Sequence, residues 1–177
     1  MRFPMLLLAL AGAVGMTGCS SLISLNPFVT AQEGLTDASL TGVWNGADDG
    51  AVYSIQQNGS AYTITYTDDN AKTPSKFQGT LFQVGDAKLM QIVTTNEDPF
   101  QVPVYVAVRV WPSADTLRWA FLDSDWMKEQ AKPQVASQPA GDRTLMTASG
   151  TAVRSFLTKF GADSQAYGNT QVLQRAH

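Results

Sequence analysis

The sequence predicts an all-β domain with a minor helical part, built as an antiparallel meander of about eight strands that closes into a barrel. Apolar and polar residues alternate in short segments, and turn residues separate these segments at regular intervals. One Asn-Gly pair between two alternating segments also marks a tight hairpin. A meander of this size commonly closes, because closure removes its two unpaired edges.

The clearest hairpin has Asn58 and Gly59 as its two central residues. Both central positions of a type I′ turn need positive φ, which Asn and Gly tolerate best. This turn places Ile55 opposite Tyr62. One face of the hairpin is then apolar and the other is polar, as a half-buried sheet requires. The apolar face comprises Tyr53, Ile55, Tyr62, Ile64 and Tyr66.

Further strands are predicted over residues 40–46, 76–84, 87–94, 101–111, 116–122 and 143–147. Ser124 is a suitable N-cap for a short helix over residues 125–132, before the last of these strands. A second, amphipathic helix is predicted at the C-terminal end, where Gly161 follows the pattern. Its apolar face is formed by Val153, Phe156, Leu157 and Phe160.

The first residues have the features of an export signal. Arg2 is followed by an apolar stretch too short for a membrane-spanning helix, and then by Met16-Thr17-Gly18-Cys19. This ending resembles the lipobox of bacterial lipoproteins. The resemblance implies that the signal peptide, residues 1–18, is removed and that Cys19 carries diacylglycerol and an acyl chain such as palmitate. Ser20, where an Asp would favour the inner membrane, implies sorting to the outer membrane, facing the periplasm.

The mature chain divides into two parts by composition. Residues 19–38 comprise the lipidated cysteine and a segment without periodicity, which predicts a flexible tether. Residues 39–177 are predicted to form the single barrel domain.

Gly42-Val43-Trp44 opens the first predicted barrel strand. Together with eight strands and a late helix, it resembles the lipocalin and calycin group, in which a Gly-x-Trp begins the barrel. The resemblance implies that Trp44 plugs the closed end and that an arginine near the final strand stacks over it. Arg143 is the first candidate for that cation, and Arg154 is the second.

The residues that usually carry enzymatic chemistry are scarce. The single histidine is the last residue, His177, and the single cysteine is the predicted lipid site. Triads, Cys-His pairs and histidine metal sites are therefore not expected, and we predict a protein that is not an enzyme and has no cofactor besides its lipid. The net charge is −3 and no basic cluster occurs, which argues against a nucleic-acid partner.

Two arginines share one face of the predicted hairpin over residues 101–122. The expected register places Arg109 opposite Arg118, an unfavourable pairing unless water or an anion separates the charges. One interpretation has both side chains pointing outward to solvent. The other is an anion or headgroup site near Tyr105 and Trp111.

Three functions are compatible with these features. The first is an accessory lipoprotein that binds an envelope protein. The second, implied by the lipocalin resemblance, is a carrier or sensor of a small apolar ligand. Bulky inward residues speak against a cavity in so narrow a barrel, namely Tyr53, Tyr62, Tyr66, Phe77, Trp119 and Phe121. The third is a periplasmic inhibitor or immunity protein against a cell-wall lytic enzyme.

Overall fold

The computed structural model describes residues 22–46, 50–69, 73–95, 102–123, 125–126, 135–141 and 143–177. The predicted signal peptide, Cys19 and Ser20 lie outside these ranges. So does most of the helix predicted over residues 125–132, of which Asp125 and Trp126 are described and helical. In the described part of the chain, no helix has the length and apolar character needed to cross a bilayer.

The described strands are numbered in chain order: β1 (Leu22–Ser24), β2 (Gly42–Gly46), β3 (Val52–Asn58), β4 (Ala61–Thr67), β5 (Ser75–Val84), β6 (Ala87–Thr94), β7 (Tyr105–Pro112), β8 (Thr116–Phe121), β9 (Ser137–Ala140), β10 (Arg143–Met146) and β11 (Gln171–Arg175). From β2 to β8, consecutive strands pair antiparallel, and β11 pairs antiparallel with both β8 and β2. These eight strands form a closed barrel, which confirms the predicted fold class.

The strand that closes the barrel is not the predicted one. Residues 143–147 were expected to do so, but β10 lies outside the barrel and runs parallel to β1. Strand β1 in turn pairs with the start of β7, and β9 pairs with β10. We call β1, β10 and β9 the side layer. The closing strand is β11, whose one buried residue, Leu173, gives it too weak an apolar pattern to be recognised in the sequence.

The hairpin between β3 and β4 turns one residue later than predicted. Asn58 pairs with Ala61, so the central residues are Gly59 and Ser60 and Ile55 lies opposite Ile64 rather than Tyr62. Gly59 has φ +63°, and no described residue other than glycine has positive φ. A glycine at the first central position is the signature of a type II′ turn, which needs positive φ only there. The predicted apolar face survives, because moving the turn by one residue shifts the pairing by two positions and preserves the alternation.

The one described full helix, α1 (Gly150–Phe160), packs on the outside of the barrel. The Oγ of Ser149 accepts a hydrogen bond from the Ala152 N–H at its start. Its buried face consists of Val153, Phe156 and Leu157, as the sequence predicts, and this face joins a cluster with Phe82 and Leu89. The helix lies before the last strand of the barrel.

The chain therefore has two apolar cores. One lies inside the barrel and includes Trp44, Tyr62 and Leu117. The other lies between the outer wall and α1, and includes Phe82 and Phe156.

The predicted flexible tether, residues 19–38, is wrong for its described part, which begins at Leu22. Leu22, Phe28 and Val29 are at most 4% exposed and belong to the outer core. The Oε1 atom of Gln91 accepts the N–H groups of Phe28 and Val29 at 2.8 and 3.2 Å, and its Nε2 donates to the Val29 carbonyl at 3.1 Å. This buried amide fixes the segment to the outer face of β6.

We predict that Gln91→Leu lowers the free energy of unfolding by about 2–4 kcal/mol, because each buried N–H left without its acceptor costs about 1–3 kcal/mol. Urea unfolding measures the change. Gln83→Leu is the control, since Gln83 is exposed and hydrogen-bonds only a turn carbonyl at Gly85. Equal midpoints for the two variants would show that the segment is not held by Gln91.

Candidate functional site

A cavity of about 440 Å³ lies inside the barrel and extends from Leu40, near one end, to Thr94 at the end where β4 leads to β5 and β6 leads to β7. Its lining is almost entirely aliphatic and aromatic. The bulky side chains therefore do not fill the barrel.

The space remains because large and small residues are segregated around the barrel. All the aromatic lining residues come from β3, β4, β5 and β8. On β7 the inward residues are valines, and Ile92 occupies the neighbouring position on β6. Because the valine side chains are small, the space between them and the aromatic rings across the barrel stays open. The valines are Val106, Val108 and Val110, preceded by Val104 just before the strand.

The aromatic part of the wall is a chain of ring contacts. Tyr53 contacts Tyr66 and Trp119, with ring centroids 5.0 and 6.4 Å apart, and Trp119 contacts Phe121 edge-on at 5.0 Å. The Trp119 indole N–H is buried and has no acceptor among the described residues. Such contacts hold the rings in fixed orientations, so this side of the cavity is preformed.

Trp44 forms part of the barrel floor. Its side chain is fully buried, and its Nε1 donates to the Leu40 carbonyl at 2.9 Å. Leu40 ends a short 3₁₀ helix, Ala38–Leu40, that lies immediately before β2.

The cation that covers Trp44 is Arg175, not the predicted Arg143 or Arg154. Its guanidinium carbon lies 4.1 Å from the ring centroid. Its three nitrogens donate to carbonyls of Ser39, Thr41 and Ala114 at 2.6–2.8 Å. The wrong assignment followed from the wrong choice of closing strand.

The other two candidate arginines lie elsewhere. Arg143 is on β10 and lines the mouth of the cavity. The Arg154 guanidinium lies over Phe82, at 4.3 Å, on the outer wall.

Gly42 has a backbone conformation that favours glycine, and a side chain at this position would displace the Arg175 guanidinium. The φ of Gly42 is +141°, and a Cβ atom there would lie 2.5 Å from an Arg175 guanidinium nitrogen. The Gly-x-Trp motif therefore has a physical basis here: the tryptophan supplies the ring, and the glycine leaves room for the cation above it.

Asp37 ties the floor to two barrel strands. Its N–H donates to the Tyr62 hydroxyl at 2.6 Å, and its carboxylate accepts the Ser39 N–H and pairs with Lys88. Burial alone would raise the pKa of Asp37, but the hydrogen bonds from Lys88 and Ser39 outweigh it and hold the pKa below its ordinary value. This contact therefore stabilises the fold at neutral pH and is lost as the pH falls through the lowered pKa.

The mouth carries the few polar groups of the cavity. Thr94 and Arg143 are exposed there, and the Tyr66 hydroxyl donates to Asp68 at 2.9 Å. Of the described lining residues, Arg143 is the only charged one. The lining residues that the structure describes include no carboxylate, imidazole, amine or thiol.

Arg109, Arg118 and Trp111 lie on the outer face of the barrel. The predicted pairing of the two arginines is one residue out on each strand: Arg118 lies opposite Trp111, and Arg109 lies opposite Ala120. The guanidinium carbons of Arg109 and Arg118 are 4.8 and 5.4 Å from the Trp111 ring centroid. The two cations therefore share one aromatic ring.

Two tyrosines border this arrangement. The ring centroid of Tyr167 lies 5.4 Å from the Arg109 guanidinium carbon. The Tyr167 hydroxyl donates to the Gly161 carbonyl, and burial raises its pKa. Tyr105 is on the same face but packs against the outer core. No group of metal-ligating residues occurs among the described residues.

Comparison of the chain with protein-family models, curated proteins and solved structures finds no match.

The sequence identified the inward valines and aromatics but not two site residues. Arg175 went unnoticed because β11 carries almost no apolar pattern. Arg143 was assigned to the floor, whereas its strand lies in the side layer at the opposite end. For Arg175, the signal available in the sequence was an arginine that is separated from Trp44 by most of the length of the chain.

We predict that Trp44→Ala lowers the free energy of unfolding by ~3–5 kcal/mol, the cost of truncating a large buried aromatic residue. Arg175→Met should cost less, ~1–3 kcal/mol, because the aliphatic packing is retained while the cation–π contact and three hydrogen bonds are lost. Arg143→Met is the matched control and should leave the urea midpoint unchanged. A larger effect from Arg143 than from Arg175 would contradict the assignment of the floor.

Proposed function

We propose that this protein is a non-enzymatic carrier or sensor that binds a small apolar ligand inside its barrel. The observation that carries the proposal is the apolar cavity of about 440 Å³, which opens at the end lined by Thr94 and Arg143. Ligand pockets typically measure ~300–1,000 Å³ and are mainly hydrophobic. An apolar cavity of ~150 Å³ already binds benzene, so this volume accommodates a longer chain or several rings.

The energetics also favour binding over a structural explanation. Side chains that line an unfilled apolar space lose the packing contacts that close neighbours would provide, and this loss lowers the stability of the fold. Larger side chains on β7 would remove this cost without disturbing the alternation. The small valines on β7 are explained if the cavity holds a ligand.

We further propose that the barrel is anchored to the periplasmic side of the outer membrane by lipid on Cys19, as the lipobox and Ser20 imply. Cys19 precedes Leu22, the first residue of β1, by three positions, so the anchor lies within about 10 Å of that strand. Ile23 of β1 lines the cavity. Lipid attached to Cys19 would thus hold the cavity mouth close to the bilayer surface, a source of apolar ligands.

Contact with an envelope protein is the second candidate function. The observation in its favour is the outer cluster of Trp111, Arg109 and Arg118, since tryptophan and arginine are enriched at the energetic centres of protein interfaces. Arg118 is exposed and Trp111 is partly exposed. This surface lies on the outer wall, so both functions can coexist.

We predict that Val106→Trp abolishes ligand binding. A diazirine-bearing dodecanol, a neutral photoreactive probe, should label inward residues of the membrane-bound full-length protein, and the variant should lose labelling at least tenfold. Because the new side chain enters open space, the unfolding midpoint should not fall as it does when a packed core is overfilled, at ~1–3 kcal/mol. Val172→Trp on β11, where the valine is 37% exposed, is the control. Labelling confined to outer-wall residues would refute the cavity as the binding site.

We predict that Cys19→Ser abolishes incorporation of radiolabelled palmitate and retention in the membrane fraction. The thiol is the acceptor of the diacylglycerol in the lipobox interpretation, and stable anchoring takes more than one acyl chain. Wild-type levels of label in the variant would contradict the lipoprotein assignment without affecting the cavity.

A further inference from the structure

The cavity has an unequal distribution of charge along its axis. Of its described lining residues only Arg143 is charged, and that residue lies at the mouth. We infer that the ligand is a single-chain amphiphile whose acidic headgroup, a carboxylate, pairs with Arg143 while its tail occupies the barrel. This inference rests on the proposed binding function and specifies the ligand class.

Arg143 is brought to the mouth by the side layer and not by the barrel. Strand β10 pairs with β1 in parallel, and β1 pairs with β7 where Ile23 meets Val106. Both of these residues line the cavity. The side layer therefore adds to an apolar wall one cation that no barrel strand provides.

The Arg143 guanidinium is available for an anion. The residue is exposed, and the ion pair found in the described part of the chain joins Lys88 to Asp37 instead. A guanidinium offers its donors in a planar fork that matches the two oxygens of a carboxylate.

The floor cannot hold the acidic group. The two cations described at that end are already engaged: each of the three Arg175 nitrogens donates to a backbone carbonyl, and Lys88 pairs with Asp37. The Arg175 guanidinium also lies against Trp44. The ligand therefore has one orientation, with its headgroup at the mouth and its tail toward Trp44.

A single chain fits the shape better than a diacyl lipid. The cavity is one continuous space inside an eight-stranded barrel, and barrels of this size have interiors just wide enough for side chains or one small ligand. A free carboxylate with one alkyl chain meets both requirements, the narrow apolar space and the single cation among the described lining residues.

The test is competition against the photoreactive dodecanol probe on the membrane-bound full-length protein, with dodecanoate and dodecanol as competitors. These two compounds share a tail and differ in the charge of the headgroup. Dodecanoate should compete about tenfold more strongly, within the range expected for a charge-assisted pair. Arg143→Met should remove this preference, Arg143→Lys should retain part of it, and Arg118→Met on the outer wall should leave it intact.

The outcomes separate the two proposals. Persistent dodecanol labelling of Arg143→Met shows that the barrel is folded, so a lost preference then supports headgroup recognition by this residue. Equal competition by both compounds in the wild type, or a preference unaffected by Arg143→Met, overturns the headgroup inference and leaves the apolar carrier standing. Absence of interior labelling by the probe in the wild type overturns both. Displacement by diacyl phosphatidylglycerol in preference to dodecanoate would overturn the single-chain assignment.

Discussion

Closure of the barrel between its first and last strands is the constraint on which the rest of the structure depends. Arg175 reaches back across 134 and 136 residues to the Thr41 and Ser39 carbonyls while it covers Trp44. Contacts so distant in sequence carry a large loop-closure entropy, so they need several bonds at one point. Without them β2 and β8 would be open edges and the cavity would lose one wall.

The alternation of side chains could be predicted from the sequence, and with it the inner surface of the barrel. Both hairpins with a predicted register turn one residue later than expected, yet Ile55 and Val108 still face inward. An error of one residue at the turn shifts the partner by two positions, and the strand period is also two. The apolar face is therefore more robust to error than the pairing itself.

What could not be predicted depends on contacts between distant parts of the chain. Strands β1 and β11 are short, and their own composition does not distinguish them from loops. Each becomes a strand because a partner edge and a core are available: β7 for the first, and β8 with β2 for the second. The positions of Arg143 and Arg175 follow from those pairings. Before the topology was known, the cation over Trp44 could therefore not be assigned to Arg175.

The barrel strands and the side layer contribute different residues to the cavity. Seven successive strands and β11 form a wall whose described residues at the cavity are nearly all apolar. The side layer adds two lining residues, Arg143 from β10 and Ile23 from β1. Strand β1 joins the barrel to the strand that carries Arg143, and it begins three residues after the proposed lipid site. Changes in the side layer can therefore alter what the cavity accepts without changing the barrel that encloses it.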